Sequence, residues 1–186
     1  MGQNETPQAG TLLIANVELR DPNFRRSVVL LCEHNERGSF GLILNRPLEL
    51  GIADVMEDYM GENFPLHWGG PVQTNTLHVL HRYGDIIGDC AEVADGVYWG
   101  GDYEQIKSLL ATRQIDPSGI KFYLGYSGWG EGQLDDEMQG NSWYLAPADA
   151  RTVFEEDAER MWSRVLRRKG GDYAIVATFP QDPQLN

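Results

Sequence analysis

Four consecutive apolar residues, Val28-Val29-Leu30-Leu31, constrain this chain more than any other stretch. They belong to a segment, Ser27 to His34, that lies between Arg20-Asp21-Pro22-Asn23 and Asn35-Glu36-Arg37-Gly38. Both borders have turn chemistry: proline fixes φ, and Asp and Asn side chains bond their own backbone. A short apolar run between turns is a strand, and one that does not alternate in polarity is covered on both faces. The fold must therefore supply a layer on each side of this strand. A chain of 186 residues, 41% of them hydrophobic, has enough material for that. At this length roughly 70% of the unfolded surface is buried without help from disulfides or metals.

The neighbouring segments extend this into a sheet. Residues 11–17 form one strand and Phe40 to Leu44 another. The short turn between the second and third strands implies antiparallel pairing. Further strands are expected at Leu77 to Tyr83, within Gly96 to Gly100, at Ile120 to Tyr126, and at Trp143-Tyr144-Leu145. Ile52, Val55, Met56, Tyr59 and Met60 follow helical spacing, which predicts an amphipathic helix over 51–60. Asp102 with Gln105 resembles a capping pair ahead of Ile106, Leu109 and Leu110. Residues 147–169 read as one long helix opening on Pro147, with acids early, bases late, and Gly170-Gly171 closing it. Tyr173 to Phe179 is apolar and reads as either strand or helix, with strand preferred. Strands cluster early and mix irregularly with helices, which favours an α+β fold with a largely antiparallel sheet. Residues 1–10 read as a flexible arm and 11–186 as a single globular domain.

Charge narrows the partners. Fifteen basic against 28 acidic residues give a net charge of −13. That field repels phosphate backbones, so direct nucleic-acid binding is disfavoured. No apolar run approaches the roughly 18 residues of a membrane span. No basic and apolar leader precedes the first strand, so the expected location is cytoplasmic, with Cys32 and Cys90 as free thiols. A myristoylation-like pattern (Met1-Gly2 with Thr6) and a glycosylation sequon (Asn4-Glu5-Thr6) are short matches read as unused.

Four candidate chemistries were weighed against structural readings. His78 and His81 are an odd number of residues apart on a strand, which sends their rings to opposite faces and argues against a shared metal. Ser127 in Gly125-Tyr126-Ser127-Gly128-Trp129 is a near miss to a nucleophile elbow, because Trp129 stands where the second glycine belongs. Asp21, Arg25 and Arg26 lie at one end of the buried strand and Glu33-His34 at the other, roughly 25 Å away at about 3.3 Å per residue. Asp21 with Arg25 or Arg26 is read as a structural ion pair. Asp54, Glu57, Asp58, Glu131, Asp135, Asp136 and Glu137 lack the alternation of a calcium loop and are read as solvated. No nucleotide-binding glycine motif is present, and no cofactor or metal is expected. Trp129, set among glycines with Gln133 and Trp143 nearby, either plugs the core or anchors a partner.

Asp21-Pro22-x-Phe24, Glu33-His34, Gly41, Asn45-Arg46-Pro47, Gly69-Gly70-Pro71 and Gly125-Tyr126-x-Gly128-Trp129-Gly130-x-Gly132-Gln133-Leu134 occur in this order. Together they resemble the bacterial YqgE/AlgH family, from about residue 11 to 145. The resemblance implies a cytosolic protein whose mixed sheet curls into a barrel-like core with flanking helices. Some relatives carry the label of transcriptional regulator, and the family supplies no catalytic residues to carry over. The expected function is a non-enzymatic regulatory or adaptor domain that binds a protein or small ligand. Asp21, His34, Asn45, Arg46, Trp129 and Gln133 are its candidate surface. The rival readings are a hydrolase or transferase with His34 as base and Asp21 or Glu33 as orienter, and a DNA-binding regulator using Arg160, Arg164, Arg167, Arg168 and Lys169.

Overall fold

The computed structural model describes residues 6–180. The N-terminal lipidation and glycosylation patterns and most of the C-terminal tail lie outside that span. Ten strands form one curled sheet. In chain order they are β1 (Thr11–Ala15), β2 (Val28–Asn35), β3 (Gly38–Ile43), β4 (Pro47–Gly51), β5 (Pro65–Trp68), β6 (Val72–His81), β7 (Cys90–Ala94), β8 (Val97–Gly100), β9 (Ile120–Trp129) and β10 (Trp143–Pro147). The spatial order is β10-β1-β2-β3-β9-β6-β8-β7, with β4 and β5 alongside. Every pairing is antiparallel except β5 with β9. Among the described residues five helices flank the sheet: α1 (Tyr103–Ala111), α2 (Gln133–Gln139), α3 (Ala150–Phe154), α4 (Ala158–Lys169) and α5 (Asp172–Val176).

Val28 through Cys32 in β2 are all buried, as an apolar run covered on both sides requires. Leu30 and Val28 face the inside of the curl, where Met161, Trp162 and Val165 of α4 and Phe154 of α3 fill the half-barrel. Val29 and Leu31 face outward under Trp129, Trp143 and Leu134 of α2. A third cluster under α1 closes the far end of the sheet.

The sheet curls at β9, which serves as the seam. Its N-terminal half pairs with β5 and β6, and its last residues pair with β3. Where β3 and β5 part, the Gly69 carbonyl accepts hydrogen bonds from Ile43 N (2.9 Å) and Ser127 Oγ (3.1 Å). A Cβ on Gly69 would lie 2.3 Å from the Gly125 oxygen, and one on Gly70 2.2 Å from the Tyr126 carbonyl. The Gly69-Gly70 and Gly125 motifs are thus places where two backbones touch. Ser127 is wholly buried with its hydroxyl engaged, which answers the nucleophile reading in structural terms.

Several sequence expectations need correction. Only Ile52–Asp54 of 51–60 is helical, as a single 3-10 turn. Val55 and Met60 are exposed, and Asp58 takes φ +59. Only Ile52, Met56 and Tyr59 of the apolar set pack on the core, and ten residues are too few to hold a helix without a fuller packed face. The long helix over 147–169 is broken into α3 and α4. Pro147 ends β10 against Thr11, while Asp149 and Asp157 each cap a new helix by accepting from Thr152 N and Arg160 N. Residues 173–179 are not a strand: Asp172–Val176 is helical, with Tyr173 edge-on to Tyr144 at 5.2 Å. The strand expected to end at Tyr126 runs on through Ser127, Gly128 and Trp129 as the end of β9. Within the arm, Gly10 N bonds Leu31 O (2.9 Å) and Gly10 O accepts from Ala148 N (2.9 Å), so its last residues are stitched to the sheet. No helix among the described residues is long and apolar enough to cross a membrane.

Candidate binding cleft

The turn from β1 to β2 is built locally. Asp21 Oδ1 accepts from Asn23 N (2.8 Å), and its carbonyl accepts from Phe24 N (3.1 Å) and Arg25 N (2.8 Å). Among the described residues Asp21 makes no ion pair with Arg25 or Arg26, contrary to expectation. Its carboxylate organises the turn instead. Phe24 anchors the turn to the outer cluster, 5.5 Å from the Trp143 ring. Arg26 then takes φ +56, a left-handed backbone that a neighbouring side chain holds in place.

That neighbour is Asn45, at the end of β3 and 7% exposed. Its Oδ1 accepts from Val28 N and its Nδ2 donates to Arg26 O, both at 2.9 Å. Arg46 follows, half-buried, with its guanidinium donating to the Asn45 carbonyl (3.3 Å) and to the Arg25 carbonyl. Below them lies α4. The Trp162 indole donates to Ala15 O (2.9 Å), and the Arg26 guanidinium stacks 4.1 Å over its ring. Arg26 also donates to the Phe179 and Pro180 carbonyls, each at 2.6 Å.

Between the turn and the first turn of α4 opens a cleft of about 940 Å³. Arg25, Arg26, Asn45, Arg46 and Arg160 line it, with Glu159 as its one carboxylate. Burial pushes the Arg26 and Arg46 guanidiniums below the ordinary arginine value, and the Arg25 charge adds to the effect at Arg26. Sequence reasoning selected Asn45 and Arg46 but assigned Arg160 to a DNA-binding row. Their convergence depends on α4 returning to a turn more than a hundred residues earlier, which no local signal carries.

The other candidates lie elsewhere. His34 Nδ1 sits 2.7 Å from Ser39 Oγ, its cross-strand partner, beside a smaller cleft of about 430 Å³. Neither expected orienter reaches His34: Asp21 belongs to the opposite end of β2, and Glu33 accepts from Asn35 Nδ2 (2.8 Å). Trp129 is 5% exposed and plugs the outer cluster, so its ring offers no anchor. Gln133 Oε1 accepts from Gly130 N (3.0 Å) and its Nε2 donates to Glu137 (3.1 Å). Glu137, read as solvated, instead accepts from the indole N–H groups of Trp129 (2.9 Å) and Trp143 (2.8 Å). In the basic row of α4, Arg164 and Arg168 both face Glu156, at 2.7 and 3.4 Å, so two of its guanidiniums are engaged within the protein.

The remaining histidines are held neutral. Desolvation, helped by the Lys121 charge and opposed by a hydrogen bond that His67 donates to the Phe122 backbone, pushes His67 down to about 4. Burial also lowers His78 and His81, and His81 is stabilised by the Gly100 carbonyl at 3.0 Å. Between pH 6.5 and 4 the unfolded chain therefore binds protons that the folded chain does not, so stability falls as pH falls. For His67 alone this amounts to about 2 kcal/mol between pH 8 and pH 5. Urea unfolding at these two pH values should show the loss, and His67→Gln should flatten it.

Fold and cleft define an α+β half-barrel that presents a cationic pocket at one end of its central buried strand. The chain belongs to the YqgE/AlgH family: the AlgH-like family model matches residues 12–174. UPF0301 proteins from Chlorobaculum parvum and Chlorobium limicola are each 50% identical to it. The first alignment covers 98% of this chain and 97% of its relative, and the second 95% of each. The solution structure of AlgH from Pseudomonas aeruginosa superposes with TM-score 0.75 at 31% identity, covering 97% of this chain and 98% of that one. A crystal structure of protein DIP2367 from Corynebacterium diphtheriae superposes with TM-score 0.79 at 26% identity, covering 96% and 95%.

Proposed function

We propose that this chain is a non-enzymatic regulatory or adaptor domain that acts by binding, through the cleft between the β1–β2 turn, Asn45-Arg46 and α4. One observation carries the reading. In a chain of net charge −13, a cleft of about 940 Å³ gathers four arginines against one glutamate. Surface charge without purpose would follow the acidic average. Asn45 holds the Arg26 backbone and the Trp162 ring holds its guanidinium, so this part of the pocket is organised by the protein itself. The test is native mass spectrometry of protein purified gently from its own host, set against the denatured mass. The reading expects a reproducible added mass, small or protein-sized, that denaturation removes. A bare chain under all gentle conditions would count against it.

The hydrolase reading has the His34–Ser39 contact of 2.7 Å in its favour. It lacks a carboxylate to orient the imidazole, and triad chemistry depends on that third group. Incubation with a fluorophosphonate should leave Ser39 unlabelled. Stoichiometric labelling there would revive a catalytic role.

A further inference from the structure

We infer that the cleft takes a small phosphorylated compound carrying two or more negative charges, an inference that rests on the binding role proposed above. Four guanidiniums converge here, from three separated segments of the chain: Arg25 and Arg26, Arg46, and Arg160. The exposed Arg25 and Arg160 side chains have no hydrogen-bonding or ionic partner among the described residues. Their donors are open to a ligand.

Arg46 and Arg26 differ from these two. Each is held by backbone carbonyls, and Arg26 is further fixed by the Trp162 ring. A guanidinium has five N–H donors in a planar fork. Two carbonyl contacts therefore orient each of these groups and leave further donors for an anion. Burial takes water from the Arg26 and Arg46 guanidiniums, and the Arg25 charge adds repulsion at Arg26. A multiply charged anion relieves that repulsion, whereas a single carboxylate satisfies only one fork.

Size sets the other bound. A cleft of about 940 Å³ lies at the upper end of the range for small-molecule sites, roughly 300–1,000 Å³. It exceeds what inorganic phosphate needs and suits a phosphate or pyrophosphate group attached to an organic body. Glu159, on the α4 side, is placed to exclude a second anionic group there and to accept from a hydroxyl or amine of that body.

The probe is inorganic pyrophosphate, titrated into the full chain at constant ionic strength and followed by amide and guanidinium NMR signals. Saturable shifts centred on Arg25, Arg26, Arg46 and Arg160 are expected, with Kd below ~1 mM. The double variant Arg25→Glu/Arg160→Glu removes two unpartnered exposed groups and should weaken binding by more than about tenfold. Arg167→Glu, farther along the exposed face of α4, should leave it unchanged. Shifts without saturation, equal binding by the double variant, or tighter binding of citrate than of pyrophosphate would each overturn the phosphate assignment. A DNA duplex that out-competes pyrophosphate for these same residues would overturn the small-ligand reading. If the native-mass adduct disappears in the double variant while pyrophosphate fails to bind the wild type, the cleft remains the binding site and only its ligand chemistry is refuted.

Discussion

Replacing Glu137 by alanine should cost about 3–5 kcal/mol of stability, since each buried donor left without an acceptor costs about 1–3 kcal/mol and charge-assisted bonds are the stronger kind. One carboxylate oxygen accepts from both the Trp129 and Trp143 indoles. Both rings are at most 5% exposed, so neither N–H finds ready replacement in water. The rings also lean on each other at 6.1 Å and on Phe24, so the outer cluster and the β1–β2 turn loosen together. For a domain of this size, the melting temperature should fall by about 6–15 °C. Glu137→Gln keeps an acceptor oxygen and should lose roughly half as much. Thermal unfolding followed by tryptophan fluorescence measures both. A change within about 0.5 kcal/mol, typical of a surface position, would show that the indoles do not depend on this carboxylate.

Gly70→Ala should be still more damaging. Its Cβ would meet three backbone atoms of Tyr126 and Ser127, at 2.2, 2.2 and 2.4 Å, and none of them can rotate aside. The residue also has φ +151, which L side chains rarely adopt. The β5–β6 connection would have to lift off β9, breaking the seam about which the sheet curls. The cost should exceed about 4 kcal/mol, in the range where marginal domains fail to fold. Gly132→Ala is the contrast. It too has positive φ, +69, but its Cβ meets nothing within 4 Å. Its cost should be limited to the backbone term, about 1–2 kcal/mol. Soluble yield and denaturant midpoints of the two variants separate steric contact from conformational preference.

These two sites show what the sequence could and could not convey. The run Val28–Leu31 announced a two-sided sheet because non-alternating apolarity has one common cause. Asp102 announced α1 because its cap is a local bond, to Glu104 N and Gln105 N. The continuation of β9 past Tyr126 was not legible, since the glycines there meet backbone some 55 residues away, as Gly125 meets Gly70. Trp129 stayed open between core plug and anchor, and Glu137 read as solvated, for the same reason. A tryptophan among glycines and a glutamate among acids both look exposed until α2 folds the one over the other. The break between α3 and α4 was there to be read in Asp149 and Asp157, each followed by a helix, but continuous helical spacing masked the two caps.

The candidate site was half legible. Asn45 and Arg46 stood out as turn residues, and Asp21 as a turn former. Their opposite face, Arg160 and Trp162, comes from α4, and only tertiary packing brings it across. His34 and Gln133, grouped with them in the sequence reading, belong to the other end of β2. The account therefore divides the family motifs by task. The glycines, Ser127 and Trp129 build the seam and the outer cluster, and the arginine-bearing turns line the cleft proposed as the binding surface.

The measurement that bears most directly on this division is native mass spectrometry of wild type and the Arg25→Glu/Arg160→Glu variant, purified in parallel from the native host. The account predicts an added mass on the wild type that the variant lacks, with the two proteins melting within about 2 °C of each other, as expected for exposed positions. The same added mass on both, with the fold intact, would contradict it and place the binding function elsewhere on the molecule.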